Sequence, residues 1–158
     1  MQSFKRYLPR DIFDDSGIDL LMNLTNDEIS PIFEDCLLWI GDPNWPIAKR
    51  MIEVIVKHYP LLDGYLPRYL SYDYHDPLLK AQIIKVLYMV PVIYLQKHIA
   101  LLKRMMETPS PDEREEFFDD HNDFILDDYK KYYIKSLHKD NSLCLSQYIE
   151  NRELVHSK

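Results

Sequence analysis

Proline placement is the feature that most constrains how this chain can fold. Five of its ten prolines stand at the head of an apolar run with helical spacing, and they recur every 14 to 17 residues: Pro31, Pro46, Pro60, Pro77 and Pro91. Proline fits the first turn of an α-helix, where its missing N–H would have no partner anyway, and interrupts a helix further in. Because the runs keep a helical period, the sequence predicts a series of α-helices.

Residues that favour helix starts precede three of the prolines. Ser30, Asp76 and Ser110 each stand directly before a proline, and such side chains accept hydrogen bonds from the N–H groups of a first turn. Helices are predicted at about residues 16–24, 31–40, 46–58, 61–70, 77–88, 91–106, 111–137 and 142–152. The predicted inward faces of the second and third helices comprise Ile32, Cys36, Leu37 and Ile40, and then Ile47, Met51, Val54 and Ile55.

The helix starts repeat in pairs. Pro31 and Pro60 are 29 residues apart, and Pro46 and Pro77 are 31 residues apart. A spacing of about 30 residues for every second helix is typical of stacked two-helix hairpins. We therefore predict an all-α fold in a single domain, residues 1–158. A short α-solenoid of such hairpins is predicted for residues 8–106, and a long acidic helical extension for residues 107–158. An irregular helical bundle is the alternative.

Composition argues against several function classes. The three glycines, Gly17, Gly41 and Gly64, cannot form either common glycine-rich phosphate-binding motif, so no cofactor is expected. Cys36 and Cys144 belong to no zinc or redox motif. Cys36 lies on an apolar stripe and is expected to be a buried, unreactive thiol.

Charge and hydropathy indicate a cytoplasmic protein. No stretch reaches the roughly 18 apolar residues of a membrane helix, and residues 1–6 have no apolar signal-peptide core. Nucleic-acid binding requires clustered Lys and Arg, so the net charge of −7 argues against a nucleic-acid partner. The same charge favours a basic protein partner.

Four segments carry a resemblance to a known family. They are residues 8–11 (LPRD), 29–32 (ISPI), 37–40 (LLWI) and 42–48 (DPNWPIA). Their order resembles small bacterial HEAT-like proteins classed as a domain of unknown function, in which an Asn-Trp-Pro-(Val/Ile)-Ala turn recurs. The resemblance covers about residues 8–106 and implies stacked helical hairpins with no assigned activity. Proteins of this kind are similar to immunity partners of bacterial toxins.

Two tryptophans bracket the Asn-Trp-Pro turn. Trp39 and Trp45 are expected to pack against each other or against the next hairpin, whereas an exposed ring would anchor an interface. Asp42 and Asn44 suit the turn because their side chains can bond nearby backbone N–H groups.

The negative charge is concentrated in one acidic stretch, residues 112–128. This stretch holds nine acids and one arginine, and the rest of the chain carries a net charge of +1. On a helix, one face would present Glu116, Asp119, Asp120, Asp123 and Asp127. The face is interpreted either as a docking surface for a basic protein or as an ordinary solvated face.

Tyrosines extend the candidate partner-binding set. Tyr129 follows the acids, and Tyr72 and Tyr74 lie in the loop before the fifth helix; tyrosine is favoured at interfaces because it joins a large apolar area to a polar tip. His75 in the same loop could act as a general base, but no nucleophile motif accompanies it, so a surface contact is the preferred interpretation.

The predicted function is therefore binding rather than catalysis. The leading hypothesis is an immunity protein, monomeric when free, that neutralises a basic bacterial toxin such as a nuclease in toxin–antitoxin or contact-dependent inhibition systems. An adaptor subunit with no toxin is the first alternative, and gene neighbourhood would separate the two. The second alternative is a small metal-dependent hydrolase using the ligand types within residues 119–123. No metal site is predicted, because that segment lacks an established binding motif.

Overall fold

A computed structural model describes residues 4–116, apart from the side chains of Val92, Gln96 and Met106. In that range the elements are α-helices and short 3₁₀ turns, with no strand, which confirms the all-α class. The α-helices are α1 (Ile18–Asn23), α2 (Asn26–Ile29), α3 (Phe33–Leu38), α4 (Pro46–Lys57), α5 (Leu66–Tyr69), α6 (Pro77–Met89), α7 (Val92–Gln96), α8 (Ile99–Glu107) and α9 (Pro111–Arg114). No described helix is long and apolar enough to cross a membrane.

The chain divides into two compact units. The first unit comprises Met1–Tyr69 and Leu78–Val86, and the second comprises Leu70–Pro77 and Leu87–Lys158. The prediction of a single domain over residues 1–158 stays a prediction. Helix α6 contributes residues to both units.

The core of the first unit forms around α4, which packs against α1 and α3. The two inward faces predicted for α3 and α4 are confirmed, because every side chain named for them is at most 3% exposed. Burial raises the pKa of the Cys36 thiol to about 12, so this cysteine is the unreactive core residue that the sequence predicts.

Two predicted helix starts in the first unit are wrong. Ser30 does not cap a helix at Pro31, since both lie in a 3₁₀ turn. The chain is already helical there, because Thr25 and Glu28 form a capping box that starts α2. Pro60 likewise lies in a 3₁₀ stretch, Tyr59–Gly64, so only the four residues of α5 are α-helical where a ten-residue helix was predicted.

The second unit contains α7, α8 and α9. The single helix predicted over residues 91–106 is wrong, because Lys97 and His98 separate α7 from α8. Their N–H groups donate to the carbonyl oxygens three residues earlier, those of Tyr94 and Leu95, as in a 3₁₀ turn. The buried face continues through the break and comprises Tyr94, Leu95, His98, Leu102 and Met105. Helix α9 begins at Pro111 as predicted; the remainder of the predicted helix 111–137 after residue 116, and the whole of 142–152, lie outside the described residues.

Candidate protein-interaction surface

One guanidinium joins the loop before α6 to the start of α9. Arg104 on α8 donates from Nη2 to the Leu70 carbonyl oxygen at 2.6 Å and to Glu113 Oε1 at 2.7 Å. Its Nη1 donates to the second carboxyl oxygen of Glu113. This two-pronged contact fixes the relative orientation of both side chains. The loop and the helix start are therefore held by one arginine.

The carboxylate in this contact is fully buried. Glu113 is 0% exposed and the Arg104 side chain is 23% exposed. Glu113 Oε2 also accepts the Ser110 N–H at 2.8 Å, and the Glu113 N–H donates to Ser110 Oγ at 3.3 Å. A buried charge is tolerated when it is paired and hydrogen-bonded in this way. Glu113 thus caps α9 and anchors it to α8.

A second contact ties the same loop to α9. His75 Nδ1 lies 2.9 Å from Asp112 Oδ2, and because a carboxylate only accepts, this nitrogen carries the proton. The two side chains are 68% and 40% exposed, and exposed pairs contribute little stability. The contact orients His75 toward α9, while the ion pair of Arg104 with the buried Glu113 provides most of the constraint.

The structure describes three members of the predicted partner-binding set. Tyr72 is 48% exposed and Tyr74 is half-buried, and both lie on the loop that Arg104 holds. Glu116 is half-buried, two residues after the end of α9. The other members, Asp119, Asp120, Asp123, Asp127 and Tyr129, lie outside the described residues.

The acidic stretch begins with two acids that have partners within the protein. Asp112 and Glu113, its first two acids, are engaged by His75 and Arg104. Glu113 is also buried and bonded to Arg104 on another helix, so its charge does not face solvent. The docking charge therefore has to come from the remaining seven acids of residues 112–128.

Sequence reasoning missed the residues that hold this surface together. Arg104 lies on α8 with no motif around it, and its second acceptor is a backbone carbonyl. The Ser110–Glu113 spacing is a capping-box signature that could have been recognised. The burial of Glu113 and its contact with Arg104 leave no signal in the local sequence.

The alternative hypothesis of a metal-dependent hydrolase requires a cluster of metal ligands. Within residues 4–116, no group of three or more His, Cys, Asp and Glu side chains is close enough to hold a metal ion. The ligand types proposed for that hypothesis, residues 119–123, lie outside this range.

Comparison with known proteins extends the family further than the four sequence segments suggest. A domain of unknown function, DUF5071, matches residues 7–126. This match agrees with the expected family of unknown function, and it reaches beyond residues 8–106 to include most of the acidic stretch. No curated protein is similar enough to count as a match. Since the domain spans well over half of the sequence, the chain belongs to the DUF5071 family.

Proposed function

We propose that this chain is a protein-binding domain that receives a basic partner on a tyrosine–acid surface, defined as the loop Leu70–Asp76 together with residues 111–129. One observation carries the proposal: Arg104 fixes the loop that bears the exposed Tyr72 to the start of the acidic stretch. A fixed loop loses little conformational entropy on binding, which favours affinity.

Charge supports a basic partner. The acidic stretch accounts for all of the net negative charge of the chain, and the DUF5071 match includes it as far as residue 126. An anionic surface attracts a cationic protein over distances of about a Debye length and speeds their encounter. A tyrosine beside such a surface adds apolar contact area once the partner has arrived.

The specific form of the proposal is a cytoplasmic immunity protein. Its partner is a cationic bacterial toxin, with a nuclease as the leading candidate because carboxylates on one face imitate the phosphates that a nuclease binds. The scaffold is a HEAT-like stack of helical hairpins, and the free protein is a monomer. What supports this form is the acidic composition and the resemblance of residues 8–48 to HEAT-like proteins.

The test begins with partner identification. The protein is purified with its bound proteins from the native host and analysed by mass spectrometry, and the gene next to its own is expressed for a direct binding assay. A basic toxin whose activity is blocked stoichiometrically supports the immunity form. A partner without toxic activity would make the domain an adaptor instead.

Charge reversal then locates the surface. Substitution of Asp119, Asp120 and Asp123 by Lys is expected to slow association with the identified partner by at least about tenfold, because steering depends on the partner meeting negative charge. The charge-matched control reverses three exposed acids elsewhere, Asp15, Asp27 and Glu107. Equal rates for the two triple variants would show that only net charge matters and would remove the acidic stretch from the interface.

A further inference from the structure

Both tryptophans of the chain lie at one turn of the first unit. Trp39 follows the last residue of α3 and Trp45 precedes the first residue of α4. Their ring centroids are 5.7 Å apart with an interplanar angle of 61°, and both side chains are half-buried. An edge-to-face contact uses at most one face of one ring, so indole surface remains open to solvent.

Exposed apolar side chains lie on the two chain segments that meet at this turn. Leu38, next to Trp39, is 50% exposed, and Phe13 is 74% exposed. The loop that carries Phe13 is fixed beside the turn, because the Ile12 carbonyl oxygen accepts the Ile47 N–H at 3.2 Å. Grouped apolar side chains at a surface are typical of interaction sites.

Two carboxylates near this turn accept backbone hydrogen bonds, and one of them, Asp11, also interacts electrostatically with the neighbouring Arg10. Asp42 Oδ1 accepts the Asn44 N–H at 2.8 Å, and Asp11 Oδ1 accepts the Phe13 N–H at 2.9 Å. Among residues 4–116 neither carboxylate forms a salt bridge, whereas nearby Asp14 is paired with Arg10. Residues 11–48 contain nine acids and no Lys or Arg, and five of these acids pair with cations outside that segment.

We propose that this surface binds an arginine-bearing segment of a partner protein, with the guanidinium against an indole face and its charge toward the two carboxylates. A planar guanidinium stacks on aromatic rings and pairs with carboxylates at the same time, which matches the two chemistries present. The proposal is independent of the tyrosine–acid surface, because the two share no residue. We name this surface the tryptophan turn and define it as Asp11, Phe13, Leu38, Trp39, Asp42 and Trp45.

The tryptophans make the site directly observable. Because the chain has two tryptophans and both belong to the turn, their indole N–H signals in NMR report on this surface alone. The probe is a glycine-spaced peptide with four arginines, and its control is the same peptide with citrulline, which keeps the shape of the side chain without its charge. The arginine peptide is expected to shift both signals saturably, and the citrulline peptide to bind about fivefold more weakly.

Isosteric variants test the role of the carboxylates. Asp42→Asn removes the charge but keeps an oxygen that accepts the Asn44 N–H, so the turn is preserved. This variant is expected to lower the affinity for the arginine peptide about threefold and to leave the affinity for the citrulline peptide unchanged. Asp27→Asn, which neutralises an exposed acid on α2, is the matched control and is expected to have a smaller effect.

Four results would overturn the proposal. They are no saturable shift with the arginine peptide, equal affinity for the two peptides, equal weakening by the two variants, and indole signals that move when the protein alone is diluted. The last result would mean that a second copy of the chain covers the turn. None of these results bears on the tyrosine–acid surface, whose test uses other residues.

Discussion

Gly17 occupies a position where the backbone leaves no room for a side chain. A Cβ there would lie 2.0 Å from the Tyr7 carbonyl oxygen and 2.7 Å from the carbonyl carbon. Backbone atoms cannot rotate aside as a flexible side chain can. Gly17→Ala is therefore expected to lower the free energy of unfolding by about 1–3 kcal/mol, measured by urea denaturation.

Gly64 provides the matched control for this prediction. It lies in the 3₁₀ stretch before α5, and an added Cβ would meet nothing within 4 Å. Gly64→Ala should change the free energy of unfolding by no more than about 0.5 kcal/mol. An equal loss in the two variants would contradict the steric explanation.

His58 is a buried titratable residue at the end of α4. Its ring is 2% exposed, with Nδ1 2.7 Å from Asn26 Oδ1 and Nε2 3.3 Å from the Leu21 carbonyl oxygen. Burial lowers the pKa of His58 below its usual value, the charge of Lys57 acts in the same direction, and the Leu21 carbonyl opposes them. The folded protein therefore takes up this proton less readily than the unfolded chain.

Stability should consequently fall in mild acid. The contribution of neutral His58 is fully present above the unfolded pKa of about 6.5. It is lost as the pH falls below that value, until the pH reaches the lowered folded pKa. Melting temperatures between about pH 7.5 and 5 should decline in the wild type and decline less in His58→Gln. Equal slopes would show that other groups cause the decline.

At the scale of helices, the ion pair of Arg104 on α8 with Glu113 on α9 is the contact with the largest expected effect on stability. Arg104→Leu leaves the Glu113 carboxylate buried without its counter-charge, and the expected loss is about 3 kcal/mol. Ser110→Ala removes one cap hydrogen bond and should cost only about 1 kcal/mol. Urea denaturation of both variants checks the ranking, and the reverse order would mean that the ion pair is replaceable.

Local sequence predicted those helices whose starts are set by local chemistry. The starts of α4, α6 and α9 at Pro46, Pro77 and Pro111 agree with prediction, because a proline and its neighbours decide them. The break between α7 and α8 was not predictable, since neither Lys97 nor His98 is a helix breaker. The sequence period that defines the buried face continues across it and hides the interruption.

The members of the candidate site stay a prediction from the sequence, and the contacts that hold its described part together were not predictable. The exposure of Tyr72 agrees with an interface role chosen from residue type. The Arg104 contacts with Glu113 and Leu70 join residues far apart in sequence, and one acceptor is a backbone atom. Such contacts depend on tertiary packing, which leaves no periodicity or motif to detect.

For the molecule as a whole, the net charge of −7 predicts how it meets a partner. The association rate constant with a basic partner should fall steeply as NaCl rises from about 50 to 500 mM, because salt shortens the range of the attraction. The dissociation rate constant should change much less. Stopped-flow fluorescence measures both, and a salt-independent association rate would contradict electrostatic steering.

Most side chains of helix α6 are buried, and its two lysines differ in exposure, so they can report whether the protein is folded. Lys80 is 0% exposed, whereas Lys85, five residues later, is exposed. An amine-acylating reagent applied to the native protein should label Lys85 and spare Lys80, and both should be labelled in urea. The ratio of Lys80 labelling to Lys85 labelling can be measured by mass spectrometry on one proteolytic peptide that contains both residues. This ratio would report the folded fraction of the protein in a crude extract, without a tag or purification.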